Sequence, residues 1–314
     1  MTVPLENVGC PLGCRDGDEP VVTGYDRLNR GPGTFDVVRC RGCGLMRTNP
    51  RPTAQGLGAY YPDDYAPYAT SAIAPPAPPP RASALRRLLQ NMVDSRSQWL
   101  PALPPGNMLE FGCAAGGFLV RMRAAGWQVE GVDISPEATA RARAQGLAVH
   151  TGTLASLPSP ARPYDLVVGW MALEHLPDPL DALRLLYART RPDGWLVLSV
   201  PDAGALEFRI FGSRWYALQL PAHLFHFTPH TLGRLLSTAG WRIEAIHFQR
   251  TAGNLTGSFG HFLADLGFAG AGRWLVRATA RSAILHRFLL PLAVGLGMLR
   301  QSGRMTVWAR KSDA

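Results

Sequence analysis

The sequence predicts a doubly wound α/β domain, which is a mostly parallel sheet with helices on both faces, preceded by a small cysteine-bearing module. From about residue 82 onward, short apolar strands alternate with amphipathic helices. A glycine-rich turn joins the first of these strands to a helix, and four of the five cysteines fall within the first 43 residues. With 314 residues, 46% of them hydrophobic, the chain can bury one large core and carry an appendage.

Composition divides the chain into three regions. Residues 1–60 contain the paired cysteines and many glycines and show little periodicity. Residues 61–82 are rich in Tyr, Pro and Ala, a composition that favours a linker. Residues 83–314 are predicted to form the α/β domain, with an apolar helical insertion at 250–303 between its last two strands.

Each element of the α/β domain follows from local signals. A helix over 82–100 is predicted to enter the domain. The helix after the second strand begins with Ser135 as cap and Pro136 as its first residue and stops at Gly146. Helices are predicted between most of the strands, which are expected at 107–111, 127–133, 147–151, 164–170, 195–200, 241–249 and 304–311.

The segment MLEFGCAAGGFLVRM carries the strongest functional signal. Its strand ends in Glu110, and Gly112, Gly116 and Gly117 then turn the chain into a helix. Small residues let a ligand approach the backbone, and the helix N-terminus offers free N–H groups to a carboxylate or hydroxyl. The next strand ends in Asp133, a position from which a carboxylate can accept both hydroxyls of a ribose.

From about residue 103 to 200 the chain resembles the class I S-adenosylmethionine-dependent methyltransferases, whose fold is a Rossmann-like seven-stranded sheet. Their first motif, an acidic residue followed by G-x-G-x-G, is similar to EFGCAAG at 110–116, with Ala114 in place of the middle glycine. YDLVVGWMALEHLPDP and RPDGWLVLSVPD resemble later strands and turns of the family. A nicotinamide-binding fold would also allow the spacing to Asp133, but its G-x-G-x-x-G pattern fails at Ala114.

The resemblance implies a set of cofactor contacts. Asp133 would bind the ribose, Ile134 and Leu154 would flank the adenine, and Trp170 and Met171 would lie near the methionine moiety. Cys113 is expected to be a small buried side chain beside the cofactor rather than a nucleophile. The full set implied for S-adenosylmethionine is Glu110, Gly112, Cys113, Gly116, Asp133, Ile134, Leu154, Trp170 and Met171.

Methyl transfer from a sulfonium is an in-line displacement, so the enzyme mainly aligns the reacting atoms and excludes water. An O–H acceptor also needs a base. The candidate catalytic residues are Glu174 and His175 in LEHLPDP and His223 in PAHLFHFTP. LEHLPDP is widespread in the family, so holding the turn is the alternative role for Glu174 and His175. His226 stays open between a substrate contact and a helix cap.

A metal at this turn is not predicted. Related O-methyltransferases of quinone biosynthesis carry a metal-binding Glu-x-x-Glu-His there, and Met171 occupies the place of the first glutamate.

Cys10, Cys14, Cys40 and Cys43 form two closely spaced pairs that predict a tetrahedral S4 site suited to zinc. The pattern resembles the zinc ribbon that precedes the methyltransferase domain in one bacterial sub-group, whose first pair is usually C-x-x-C. A closed S4 site has no open position for catalysis, so the zinc is expected to be structural. Free thiols or a redox pair are the alternative.

The insertion places Arg273, Arg277 and Arg281 at four-residue intervals among apolar side chains. A basic amphipathic helix of this kind favours a membrane surface, contacted through 270–300, and then a lipid-linked acceptor. A helical lid or a dimer face is the alternative, and the oligomeric state is not predicted.

The predicted function is methylation, preferably at oxygen, of a small molecule such as a lipid, glycan precursor or secondary metabolite. The net charge of +9 leaves a non-catalytic nucleic-acid-binding or partner-binding protein as the alternative. The cysteine module is not lysine-rich and lacks aromatics spaced to stack on bases, so nucleic acid is not expected. With no basic start followed by a long apolar run, a cytoplasmic location is expected, with possible peripheral contact at the inner membrane surface.

Overall fold

The computed structural model describes residues 3–29, 31–60, 98–281, 285 and 288–312. The predicted linker at 61–82 and nearly all of the predicted helix at 82–100 lie outside the described residues.

The described part of the first 60 residues forms short strands, a four-residue α-helix and a 3₁₀ turn at Gly58–Tyr60. The strands β2, β3 and β4 are antiparallel neighbours, and β1 pairs with β5. The elements are β1 (Leu5–Glu6), β2 (Asp18–Tyr25), β3 (Thr34–Cys40), β4 (Met46–Thr48), β5 (Arg51–Pro52) and α1 (Ala54–Leu57).

The rest of the chain alternates strands and helices. Its strands are β6 (Asn107–Phe111), β7 (Gln128–Asp133), β8 (Ala148–Thr151), β9 (Tyr164–Trp170), β10 (Thr190–Pro201), β11 (Phe225–His226), β12 (Trp241–Phe248) and β13 (Arg304–Lys311). Its helices are α2 (Gly117–Ala124), α3 (Pro136–Ala144), α4 (Pro179–Arg189), α5 (Leu206–Phe211), α6 (Pro229–Thr238), α7 (Gly253–Asp265), α8 (Ala269–Arg281) and α9 (Leu290–Met298).

The central sheet has seven strands in the spatial order β12-β13-β10-β9-β6-β7-β8. The strands β10, β9, β6, β7 and β8 are parallel neighbours, whereas β13 runs antiparallel between β10 and β12. Apolar side chains of β6, β9 and β10 are buried in two hydrophobic clusters, as expected for a sheet covered on both faces. The predicted doubly wound α/β fold is confirmed.

Helix starts follow the local sequence signals. Ser135, Asp178 and Thr228 each accept a backbone N–H at the start of α3, α4 and α6, and a proline occupies the first helical turn each time. These caps set the points at which the chain leaves the carboxyl ends of the strands, where the turns of the candidate site lie.

The short strand β11 belongs to the sheet of the N-terminal module. It pairs antiparallel with β4, which gives a four-stranded sheet in the order β11-β4-β3-β2. Two hydrophobic clusters extend across this junction. Leu45 packs in the cluster that contains Phe225 and Phe227, and Phe35 packs in the cluster that contains Trp215. The N-terminal module and the α/β domain therefore share both a sheet and a core.

The interval 250–303 contains the helices α7, α8 and α9 in its described part. Asp265 at the end of α7 accepts two hydrogen bonds from Arg27, at 2.9 and 3.0 Å, and one from Arg214 at 2.7 Å. These cations lower the pKa of the Asp265 carboxyl, with the hydrogen bonds from Arg27 as the main cause. In the described part of the chain, no helix combines the length and apolar character needed to cross a membrane.

Candidate cofactor and acceptor site

The predicted site residues meet at one edge of the central sheet. The chain runs outward from β6 through β7 to β8 and then returns to β9, which lies on the other side of β6. In an open α/β sheet, the crevice at such a reversal is the usual place for a ligand. The turns after β6, β7 and β9 carry Gly112, Asp133 and Met171 to this edge.

The turn after β6 has an unusual backbone. Gly112 and Gly116 have φ values of +66° and +80°, and a Cβ atom on Gly112 would lie 2.7 Å from the Cβ of Ala172. Ala114 adopts φ of +44°, a left-handed conformation that costs an alanine more than a glycine. The backbone at position 114 thus keeps the left-handed conformation that favours glycine, although the residue there is alanine.

Asp133 is held against this turn. Its Oδ2 accepts a hydrogen bond from the backbone N–H of Ala114 at 2.8 Å, and its Oδ1 accepts one from Ser135 at 2.9 Å. Burial raises the pKa of the Asp133 carboxyl, and these backbone N–H groups oppose the rise. Each carboxylate oxygen retains accepting capacity toward a ligand in the crevice.

Glu110 lies beside Asp133 at the end of β6. Its side chain is buried, and its Oε2 has no hydrogen-bond partner among the described residues. Burial raises the pKa of Glu110 well above its usual value, although the charge of Arg121 opposes this. A buried carboxyl oxygen without a partner is costly, so Glu110 is suited to a ligand that forms a hydrogen bond with it.

The two residues predicted to flank the adenine differ in exposure. Ile134 is 60% exposed, so its side chain is available to a ligand, whereas Leu154 is buried in the core beneath the turn. In the predicted methionine environment, the Nε1 of Trp170 is buried without a hydrogen-bond partner in the described part of the chain. Met171 has φ of +53° and donates its N–H to the carbonyl of Ser199 at 2.8 Å, which bends the chain sharply after β9.

Cys113 packs into the core rather than facing the crevice as a nucleophile. A Cβ atom on Gly131 would lie 2.7 Å from the Cys113 Sγ, so the thiol fills the space that this glycine leaves. Burial raises the pKa of the Cys113 thiol, which keeps it protonated.

The structure brings together Glu174, His175 and His223. The two imidazole rings meet edge to face with their centres 4.6 Å apart. One ligand atom from each of the three residues lies within 4.8 Å of the others, a spacing compatible with a shared ligand or ion. His175 Nδ1 is 2.9 Å from the carbonyl of Ala222, and His223 Nδ1 is 2.8 Å from the carbonyl of Ala217.

Burial keeps this group uncharged. It raises the pKa of Glu174 to about 8 and lowers that of His175 to about 4. The pKa of His223 is also lowered well below its usual value, first by burial and then by the neighbouring histidines. Because a carbonyl can only accept, Nδ1 of His223 carries the proton and Nε2 carries the lone pair.

His226 faces the N-terminal module. It is buried, and its Nε2 lies 3.4 Å from the Thr48 hydroxyl, which also donates to the His223 carbonyl at 2.8 Å. The cap of α6 is instead built by Thr228 and Thr231. Thr228 and Thr231 therefore fill the helix-cap role, and a substrate contact is the role that stays open for His226.

The four N-terminal cysteines form one cluster. All four Sγ atoms lie within 4.8 Å of one another, and Cys10 and Cys43 are 3.5 Å apart. A tetrahedral zinc site with bonds of 2.3 Å has sulfurs about 3.8 Å apart, so the cluster fits the ion. The backbone N–H groups of Cys43 and Gly42 lower the pKa of Cys40 in spite of its burial, whereas burial raises the pKa of Cys14 and Cys43. A bound cation would be needed to hold all four as thiolates.

A second polar group at this edge is absent from the sequence-based prediction. Glu207, Asn254 and Arg304 each bury a polar atom without a hydrogen-bond partner among the described residues. Glu207 lies in α5, Asn254 in the first turn of α7 and Arg304 at the start of β13. The sequence signal is weak, because Glu207 shares the segment ALEFRIF with Arg209 and nothing in the sequence links it to Asn254 or Arg304.

Comparison with known proteins agrees with this geometry. A family model described as a methyltransferase domain matches residues 81–246, which is just over half of the chain. A ubiquinone biosynthesis O-methyltransferase of Burkholderia thailandensis is 27% identical over 177 residues, which cover 52% of this chain and 72% of the relative. One from Xanthomonas campestris pv. campestris is 28% identical over 159 residues, with coverages of 46% and 66%.

Among solved structures, an S-adenosylmethionine-dependent methyltransferase from Mesorhizobium loti aligns with a TM-score of 0.46 at 20% identity. That alignment covers 73% of this chain and 98% of the other. The family match, the sheet order and the glycine-rich turn lead to one assignment. The chain belongs to the class I S-adenosylmethionine-dependent methyltransferases.

Proposed function

We propose that this enzyme transfers the methyl group of S-adenosylmethionine to an oxygen atom of a small, lipid-linked acceptor. The observation that carries the proposal is that the Asp133 turn and the pair His175 and His223 lie at the same edge of the sheet. The two relatives described above are named as ubiquinone biosynthesis O-methyltransferases, which supports a small-molecule oxygen acceptor.

The proposed cofactor site is formed by the turns after β6, β7 and β9. Asp133 binds the ribose hydroxyls, and Gly112 and Gly116 let the ligand approach the backbone. Glu110 accepts a hydrogen bond deep in the crevice, with Cys113 as packing behind the turn. Ile134 and Leu154 flank the adenine, while Trp170 and Met171 border the methionine moiety.

The proposed chemistry needs alignment, a base and a dry site. S-adenosylmethionine, when bound, supplies an electrophilic methyl group. His223 holds its Nε2 lone pair toward the acceptor because Ala217 fixes the proton on Nδ1. His175 packs against that ring, and Glu174 is neutral at pH 7 and can donate a hydrogen bond. Because the pKa values of His175 and His223 are lowered, neither ring would hold the proton of the acceptor before the reaction begins. The acceptor hydroxyl therefore loses its proton while the methyl group is being transferred.

The proposal includes a structural zinc ion held by Cys10, Cys14, Cys40 and Cys43. The ion would join the turn that carries the first pair to the turn between β3 and β4. We further propose the boundaries 1–60 for this module and 83–314 for the methyltransferase domain, with 61–82 as linker. The pairing of β4 with β11 means that the two units are expected to fold together.

The lipid-linked acceptor and a peripheral membrane contact are supported by an unusually apolar surface on the insertion. Exposed apolar side chains lie on α7, α8 and α9 and in the turns that flank them, and the exposed cations Arg273 and Arg277 belong to α8. The exposed side chains are Phe259, Phe262, Leu266, Phe268, Trp274, Phe288, Leu292, Met298 and Leu299. A patch of this kind, with cations beside it, is suited to an anionic membrane surface.

Calorimetric titration with S-adenosylmethionine tests the cofactor site. Wild type is expected to bind in the micromolar range, and Asp133→Ala is expected to weaken binding at least tenfold, about 1.4 kcal/mol. Asp181→Ala, on the exposed side of α4, is the matched control and should bind as wild type does. Equal affinities of the Asp133 and Asp181 variants would refute the proposed position of the ribose.

Co-sedimentation with vesicles of phosphatidylglycerol and phosphatidylcholine tests the membrane contact. Wild type is expected to sediment at low salt and to be released as salt rises, because exposed charges are screened. The double variant Phe268→Ser, Trp274→Ser should stay in the supernatant, whereas Tyr25→Ser, another exposed aromatic on β2, should not change sedimentation. Failure of the wild type to sediment would remove the membrane contact and its support for a lipid-linked acceptor.

A further inference from the structure

A cavity of about 570 Å³, here called the junction cavity, lies between the N-terminal module and the α/β domain. One wall comes from β2, β3 and β4, and the other comes from the turn after β10, from α5 and from the first turn of α6. Its volume falls within the usual range for small-molecule sites, which is roughly 300–1,000 Å³. Gly204 and Arg209 in its lining are exposed, so the cavity opens to solvent and a ligand can enter.

The inner part of the junction cavity is apolar. Met46, Ala203 and Phe208 line it and belong to the buried cluster that the module and the domain share. Val21 and Val22 of β2 also line it, although consecutive residues of a regular strand point to opposite faces. The pairing of β2 with β3 shifts its register just before Val22, and such a bulge redirects a side chain. The apolar part of a ligand can therefore pack against both walls.

The outer part of the junction cavity is basic. Arg39 of β3, Arg209 of α5 and His230 of α6 line it, and all three are exposed. None of the described residues that line the cavity carries a carboxylate. Arg39 forms an ion pair with Glu19 at 3.0 Å, whereas Arg209 has no ion pair within 4.0 Å in the described part of the chain. The guanidinium of Arg209 is therefore available to an anion.

The first turn of α6 adds to this positive potential. Thr228, His230 and Thr231 all line the junction cavity, and the Thr228 hydroxyl accepts the N–H of Thr231 at 3.2 Å. The N-terminus of a helix carries a partial positive charge of about 0.5, and its first N–H groups point toward a ligand placed there. Two arginines from different elements and this helix end therefore surround one opening.

The charges favour a phosphate group over a carboxylate. Glu19 offsets part of the charge of Arg39, so the two arginines and the helix end together supply between one and two positive charges. A phosphate monoester carries about −1.5 to −2 charges at pH 7 and has three acceptor oxygens. A carboxylate has one charge and two oxygens. Phosphate also matches the planar donor fork of a guanidinium, which can bond to two of its oxygens at once.

We propose that the junction cavity binds a small phosphate ester with an apolar body. Its phosphate contacts Arg39, Arg209 and the first turn of α6, and its apolar body packs on Met46 and Phe208. The inference goes beyond the proposed function and does not depend on it, because none of the residues assigned to the cofactor or to the base lines this cavity. Because the ester contacts both units, it would strengthen the junction that β4 and β11 form.

Calorimetric titration of the full-length protein with hexyl phosphate tests the site. Three probes separate its parts: hexanol has the same apolar body without charge, inorganic phosphate has the charge alone, and hexanoate has a carboxylate. We expect hexyl phosphate to bind at least about tenfold more tightly than each of the three. Saturating S-adenosylhomocysteine should leave this affinity unchanged. Equal binding of any of the three probes, or competition by S-adenosylhomocysteine, would overturn the inference.

Matched variants locate the bound phosphate. Arg209→Gln should bind hexyl phosphate roughly tenfold more weakly, whereas Arg184→Gln, exposed on α4, should bind as wild type does. Glu19→Gln should bind more tightly than wild type, because it removes the carboxylate that competes for Arg39. Equal binding by the Arg209 and Arg184 variants, or weaker binding by Glu19→Gln, would overturn the inference.

A last control excludes the exposed apolar surface of the insertion as the binding site for hexyl phosphate. The double variant Phe268→Ser, Trp274→Ser removes two exposed aromatic side chains from that surface. It should bind hexyl phosphate as wild type does. A loss of binding in this variant would place the ester on the insertion and overturn the inference.

Discussion

The contact between the N-terminal module and the histidine segment can be tested at a single hydroxyl. Thr48 is fully buried in β4, and its Oγ1 donates to the carbonyl of His223 at 2.8 Å and lies 3.4 Å from Nε2 of His226. Thr48→Val replaces the hydroxyl by a methyl group and leaves two buried polar atoms without that partner.

The expected loss of stability follows from those two atoms. A buried group left without its partner costs about 1–3 kcal/mol, so the free energy of unfolding should fall by about 2–3 kcal/mol. Thr23→Val makes the same change in β2, where the hydroxyl is exposed and bonds to Asp36. This control should change the free energy of unfolding by less than about 0.5 kcal/mol.

Urea unfolding followed by tryptophan fluorescence measures both variants. Amide hydrogen exchange at Leu224, whose N–H donates to the Glu174 carbonyl, should also rise in Thr48→Val, because this amide lies between the histidines. Binding of S-adenosylhomocysteine should be unchanged, since the Asp133 turn lies elsewhere on the sheet edge. If Thr48→Val cost no more than Thr23→Val, the module would not be holding the histidine segment in place.

Three further changes probe the rest of the site. Cys43→Ser should lose the zinc that a colorimetric metal assay detects in wild type, whereas Cys113→Ser should retain it; zinc retained in both would contradict the S4 site. Burial raises the pKa of Glu174 in the folded protein from 4.5 to about 8, so the folded state favours the neutral carboxyl. The free energy of unfolding should therefore fall as the pH rises through that range. Glu174→Gln should flatten this slope in urea unfolding at pH 5–9, and an unchanged slope would argue against the raised pKa. Ala114→Gly should change the free energy of unfolding by less than about 1 kcal/mol, since relief at a positive φ offsets added chain entropy, while the neighbouring Ala115→Gly should destabilise more.

The fold was predictable because its signals are local. Buried strands, proline-marked helix starts and the turn at 110–117 each lie within a short window of sequence, and together they specify the parallel sheet. The cysteine cluster was predictable for the same reason, since each pair lies on a single turn. What brings Asp133 to the turn after β6 is the parallel pairing of β6 with β7, which the alternating pattern already implies.

The features that could not be predicted from the sequence depend on contacts between distant parts of the chain. The strand β11 has two residues, too few for a periodic signal, and its partner β4 lies about 180 positions earlier in the chain. Glu207, Asn254 and Arg304 come from three separate segments. They come together only because α7 packs against the start of β13, where the Asn254 amide donates to the Gly303 carbonyl. Each of them lies among other polar residues in the sequence, which gives no sign that the three meet.

The two faces of α7 have different environments. The face that contains Asn254, Gly257 and His261 is buried, and the side-chain amide of Asn254 donates to the carbonyl of Gly303 at 2.9 Å. The opposite face exposes Phe259 and Phe262. The buried face therefore fixes α7 against the start of β13, whereas the exposed aromatics are available for the proposed membrane contact. Phe262→Ser should accordingly weaken co-sedimentation with anionic vesicles and leave the binding of S-adenosylhomocysteine unchanged. Loss of both would instead mean that this face supports the fold.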